Sequence, residues 1–160
     1  MVHSLVAALA RDGVRAGVAR RAASVLAALA VTSRELRTIK QRCHLVPVAA
    51  TEDVAGYLLA AAGLRVVTPL RFRLATGNGV DPAIGDLATA LAQMARHPAF
   101  LLDNVQTSNP LTNEVVKRAR SARVPVVDVT ETMRGVHYVA WLGGVVARLR
   151  APLVAQGCLA

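Results

Sequence analysis

Aromatic side chains are scarce, 3% of 160 residues. That excludes a core built on ring packing and leaves Ala, Val and Leu to fill it. Cysteine is nearly missing. Cys43 and Cys158 show no Cys-x-x-Cys spacing, which argues against a zinc ribbon and a thioredoxin-type pair and leaves a disulfide between them open. No uninterrupted apolar run reaches the roughly 18–20 residues that cross a bilayer, although the mean hydropathy is +0.41. Acidic residues are few, 10 against 19 basic ones, for a formal charge of +9. Nucleic acid, anionic lipid and acidic partners therefore have to be weighed. What is abundant is aliphatic: 54% hydrophobic against 18% charged residues excludes a disordered chain, and the length suits one α/β-sized core.

Residues 1–21 have weak periodicity, with Gly13 and Gly17 lowering helix propensity, and stay unassigned. Val25, Leu26, Leu29, Leu36 and Ile39 recur at helical steps, predicting a helix over 22–42 with Arg34, Arg37 and Lys40 on its other face. The same stretch, from Arg20-Arg21 through the small apolar residues to Val31, can also be read as a short export signal, but not a convincing one. Strands are expected at 46–50, 64–67, 100–102 and 124–129. Helices are expected at 53–62, stopped by Gly63, from Asp81-Pro82 to about 96, at about 111–122 after Asn109-Pro110, and from Tyr138 to about 150. This alternation predicts an α/β three-layer sandwich: a mostly parallel four-stranded sheet with helices on both faces.

In such a sheet the loops leaving the carboxyl ends of the strands share one edge, where ligands commonly bind. Those loops hold Thr51-Glu52-Asp53, then Asn104, Gln106, Thr107, Ser108 and Asn109, then Thr130-Glu131-Thr132. The chain has only four glutamates, and two of them, Glu52 and Glu131, fall at strand exits. Carboxylates there can ligate a divalent cation, act as an acid/base pair, or cap the next helix. Asp53 stands where a helix cap belongs; Glu is a poorer cap.

The run Val48-Ala49-Ala50-Thr51-Glu52-Asp53-Val54-Ala55-Gly56-Tyr57-Leu58 with Gly63-Leu64-Arg65-Val66 resembles the start of the second lobe of the zinc/manganese-type solute-binding proteins of ABC importers. Further matches follow in that family's order. They are Asp81-Pro82 before a helix, Asn104-Val105-Gln106-Thr107 before Leu111-Thr112, and Val124-Pro125-Val126-Val127 into Val129-Thr130-Glu131-Thr132-Met133. Tyr138-Val139-Ala140-Trp141-Leu142 is similar to the closing helix, so the resemblance spans about residues 22–150.

The resemblance implies a linking helix at 22–42, a metal-binding-type C-terminal lobe at 43–152 and a tail at 153–160. It also implies export to the periplasm or cell surface, zinc or manganese as cargo, an ABC permease as partner, and carriage in place of catalysis, so no enzymatic activity is expected. The cytoplasm is the alternative location. One metal ligand is implied just after the first strand of this lobe, at Glu52 in place of the commoner histidine. A second is implied after the last strand, at Glu131, with Asp128 as the lesser candidate.

The first lobe and its two histidines are expected to be absent, the chain starting near the end of the linking helix. His3, His44, His97 and His137 do not replace them, falling in a terminus, before a strand and at helix ends. Two carboxylates alone make an incomplete, oxygen-rich site that holds zinc weakly or not at all. A lobe without its partner is expected to expose an apolar patch, which a homodimer could cover.

The alternative function is a basic nucleic-acid or anionic-surface binding module using 17 arginines and two lysines. Nucleic acid is nevertheless not the expected partner. Tyr57 and Trp141 fall at helical spacing with Leu58, Leu59, Val145 and Leu149, which predicts core or lobe-interface packing over base stacking. Arg118, Arg120 and Arg123 complement a helix C-terminus. Gly77-Asn78-Gly79 lacks a P-loop lysine and reads as a turn, and no serine sits in a nucleophile elbow. An enzyme using Glu52 and Glu131 as an acid/base pair has no motif behind it.

Overall fold

The structure, a computed structural model, describes residues 7, 16–133 and 135–159. Among the described residues ten elements follow in order: α1 (Ala16–Arg42), β1 (Pro47–Ala50), α2 (Gly56–Ala61), β2 (Arg65–Val66), α3 (Leu70–Gly77), α4 (Ile84–Met94), β3 (Leu101–Asn104), α5 (Pro110–Ser121), β4 (Val126–Val129) and α6 (Tyr138–Ala155). The four strands form one sheet in the order β2-β1-β3-β4. All neighbours are parallel, with Val48 opposite Val66, Ala50 opposite Leu102, and Asn104 opposite Val129.

Alternation along the strands builds the three layers, because successive side chains leave opposite faces of a sheet. Val48, Ala50, Leu102, Val127 and Val129 pack with Ile39 of α1, Leu59 of α2, and Val145, Val146, Leu149 and Leu153 of α6. Ala49 and Leu101 face the other way, onto Phe72 of α3, Ala90 and Met94 of α4, and Val115 and Ala119 of α5. Alanines at the centre of β1 allow helices to approach closely, as the scarcity of large rings requires.

The expected α/β three-layer sandwich is present, and its sheet is wholly parallel. Local corrections are informative. The first helix includes residues 16–21, and the final helix runs to Ala155, past the expected end near 150. The segment from Leu70 to Gly77 forms α3, which the sequence reading lacked. Leu70, Phe72 and Leu74 alternate as a strand would, yet only Phe72 of these three is buried, together with Arg73 and Thr76 on a helical face. Asp81-Pro82 does not open the following helix: α4 begins at Ile84 with Ala83 at its cap position and no side-chain cap. Asn109 does cap α5, its Oδ1 accepting from the amides of Leu111 and Thr112 while the Thr112 hydroxyl reciprocates.

Gly63 ends α2 as expected. Its φ of +67° favours glycine, and a Cβ there would lie 2.7 Å from Lys40 Cγ. Cys43, at the end of α1, is disulfide-bonded to Cys158, 115 residues later. The bridge thus joins the start of the lobe to its end, beside Leu159, which is buried in the same core.

Candidate metal centre

Glu52 and Glu131 converge. Glu52 leaves β1, Glu131 leaves β4, and β3 between them ends at Asn104. The Asn104 amide nitrogen donates to both carboxylates, at 2.9 Å to Glu52 Oε2 and 3.0 Å to Glu131 Oε1. A single donor shared at these lengths keeps the two acceptor oxygens within about 6 Å of each other. Parallel pairing in register explains the meeting, since three adjacent strands deliver their exits to one rim.

The two acids differ in setting. Glu52 is only 2% exposed, and its other oxygen accepts from the Thr107 hydroxyl. No lysine or arginine pairs with it among the described residues, so both its hydrogen-bond partners are neutral. Glu131 is exposed, at the mouth. Its loop is fastened by Gln106, whose Oε1 accepts from the amides of Glu131 at 2.7 Å and Thr132 at 3.0 Å. The Gln106 amide nitrogen donates to Thr132 Oγ1 at 2.6 Å, and the Gln106 backbone N–H donates to Asn104 Oδ1 at 3.2 Å.

Asp128, the lesser candidate, is not brought to this pair. It precedes Val129, the register partner of Asn104, so its side chain leaves the opposite face of the sheet beside Asp103. Asp103 is buried and accepts from the Thr51 hydroxyl at 3.1 Å. Burial pushes its carboxyl above the ordinary value. The Thr51 hydrogen bond and the Arg120 charge oppose that shift, and the charges of Asp128 and Glu52 add to it.

Asp53 does not cap α2. Ala55 holds the cap position without a side-chain bond, and the Asp53 carboxylate is instead ion-paired with Arg73 of α3. Burial pulls the Arg73 guanidinium below its ordinary value, and its Nε is buried without a hydrogen-bond partner. A buried cation is worth more to a neighbouring anion than an N-cap, which explains the exchange.

Beside the carboxylates runs an apolar groove of about 350 Å³, walled by Val54, Tyr57, Leu58, Tyr138, Trp141 and Val145. Tyr57 is 98% exposed, so of the two expected places, the core or a lobe interface, it does not take the core. Trp141 is half-buried and donates its indole N–H to Thr130 Oγ1 at 3.1 Å. Val105, Met133 and Val136, in loops at the same edge, are exposed too.

Among the described residues no three His, Cys, Asp or Glu side chains gather as a metal-binding group. His44, His97 and His137 are exposed outside the pair; His3 lies outside the described residues. Asn104 and Gln106 were visible in the sequence only as polar loop residues. Nothing local to them signalled that one bridges the acids and the other holds both loops. A scan against family models finds no match for the chain, and a search of curated proteins finds none.

Proposed function

We propose that this chain is a lobe of the second-lobe type from a metal-importer solute-binding protein, and that it binds a divalent transition metal, zinc or manganese, through Glu52 and Glu131. The observation that carries the reading is the meeting of these two carboxylates at one rim, one of them buried with no cationic partner among the described residues. A buried carboxylate held only by neutral donors is costly, and a cation at that rim would offset the cost. The donors supplied by this chain are oxygens, which suit manganese better than zinc and make weak binding the expectation.

The apolar groove at the same edge and the exposed Tyr57 support a partner surface there, whether another lobe or a second copy of the chain. An ABC permease would be the recipient of the cargo. The Cys43–Cys158 bridge favours an oxidising compartment, the periplasm or cell surface, over the cytoplasm. Carriage requires no catalytic group, and none is assigned.

The basic-module alternative is less favoured. Arg118, Arg120 and Arg123 lie at the end of α5 that feeds β4, on the rim opposite Tyr57 and Trp141. These three arginines and the aromatic rings, on separate edges, do not form one stacking groove.

Calorimetric titration of manganese and zinc into the chain and its Glu52→Gln and Glu131→Gln variants tests the proposal. Each variant is expected to bind at least about tenfold more weakly. Equal affinity in all three proteins would remove these carboxylates as ligands.

A further inference from the structure

We infer that the rim at the amino ends of the strands is a docking surface for an anionic phospholipid bilayer. This rim lies across the sheet from Glu52 and Glu131, and its charge does not depend on whether they hold a metal. Each strand is entered behind one exposed arginine. Arg65 opens β2, Arg42 precedes β1, Arg96 precedes β3 and Arg123 precedes β4, so the four follow the side-by-side order of the strands. The segments that lead from a helix end into a strand, 42–46, 62–65, 95–100 and 122–125, contain no Asp or Glu. None of the four arginines is ion-paired among the described residues. Arg65 and Arg96 share one cleft of about 150 Å³, with Pro47, Val67, Gln93 and Pro98 as its other walls. Two unpaired guanidinium groups in one cleft repel, and a phosphate between them relieves that repulsion. Helix dipoles account for Arg42, in the last turn of α1. They do not account for Arg65, which begins a strand, or for Arg96, since α4 has no basic residue in its last turn.

What stands among the charges favours a bilayer over other polyanions. Leu45, in the turn between α1 and β1, is 55% exposed, and its backbone is left-handed with a φ of 59°. That conformation favours glycine, which Gly63 supplies in the turn into β2. Leu45 packs on neither core cluster, so the fold gains little from an apolar side chain there. An apolar side chain ringed by arginines gains from the boundary between headgroups and acyl chains. Base stacking has no counterpart on this rim: Phe72 and Phe100 are fully buried, and Tyr57, Tyr138 and Trp141 wall the groove at the opposite one.

Each arginine close to an anionic bilayer is worth about fivefold in affinity, and the attraction fades within a Debye length. The test is co-sedimentation of the whole chain with vesicles of phosphatidylcholine alone or mixed with phosphatidylglycerol, at low and high salt, alongside titration with duplex DNA. Thermal melting establishes that each variant used is folded. Wild type is expected on the mixed vesicles at low salt and on neither kind at high salt. Arg65→Gln combined with Arg96→Gln is expected to bind about 25-fold more weakly. Arg20→Gln combined with Arg21→Gln removes the same charge about 33 Å from Arg42 along α1, and is expected to change affinity less than about twofold. Leu45→Asn, which tolerates the left-handed backbone, is expected to weaken vesicle binding and leave any DNA binding unchanged. No wild-type binding to the mixed vesicles at low salt would overturn the inference. Equal losses in the two double variants would overturn it too, because net charge would then suffice. Wild-type vesicle binding in Leu45→Asn, or tighter binding to duplex DNA than to vesicles, would overturn the assignment to lipid.

Discussion

Glu52 and Glu131 share one hydrogen-bond donor although they leave the sheet from β1 and β4. Asn104, at the end of the strand between, gives its amide nitrogen to both. The buried member, Glu52, has the Thr107 hydroxyl as its second partner; the exposed member is held through its own backbone by Gln106. The pair is therefore built from one deep, immobilised acid and one at the surface, and substitutions at the two should differ.

Glu52→Ala leaves the Thr107 hydroxyl and half of the Asn104 amide without acceptors in a buried setting. It should cost about 1–3 kcal/mol of folding stability. Glu131→Ala, at an exposed position, should cost less than about 1 kcal/mol. Urea denaturation at neutral pH checks the difference, and equal losses would contradict the assigned burial.

Asp103 should make stability depend on pH. Its carboxyl is raised by burial, so the folded state holds that proton more tightly than the unfolded chain does. Its contribution is favourable below the unfolded value near 3.8 and is lost as pH rises through the higher folded value. Asp103→Asn keeps an acceptor for the Thr51 hydroxyl and removes the buried charge. The variant should be more stable than wild type at pH 7, with the advantage shrinking toward pH 4. A urea midpoint series across that range decides it.

The ion pair between Asp53 and Arg73 is asymmetric, with the arginine side chain 11% exposed and the carboxylate 42% exposed. Asp53→Asn strands a buried guanidinium that already has an unpartnered Nε. Arg73→Met instead leaves a carboxylate that water can reach. The first should cost about 1–2 kcal/mol, reduced from a fully buried pair by the exposure of Asp53, and the second should cost less. The order of the two thermal midpoints is the measurement.

Cys43 and Cys158 close a covalent loop around the whole lobe, 115 residues in separation. Reduction, or Cys158→Ser, should lower stability by about 2–5 kcal/mol, since the unfolded chain regains the entropy of an open loop. Melting with and without reductant reads this directly, and no further loss should follow when reductant is added to the serine variant.

Much of the architecture was legible before any tertiary contact. Apolar runs ending in polar residues marked four strands. Gly63 marked a helix end and Asn109-Pro110 a helix start, because these signals act within a few residues of themselves. Parallel order followed from the alternation of strands with helices, and it brought Glu52 and Glu131 to one rim as read. α3 escaped because Leu70, Phe72 and Leu74 alternate like a strand until packing on Ala49 and Met94 selects a helical face. Asp53 was misread as a cap because its partner, Arg73, lies on another helix.

Local chemistry in the chain thus determined the strands, most of the helices, the parallel sheet and the edge that carries the acids. Only the tertiary structure decided that Asn104 stands between the acids, that Asp128 faces away, that Tyr57 lies in the open and that the two cysteines pair. Each of these depends on the register of β3 against its neighbours or on helices meeting across the sheet. Such contacts join residues far apart along the chain, where no pattern of neighbours records them.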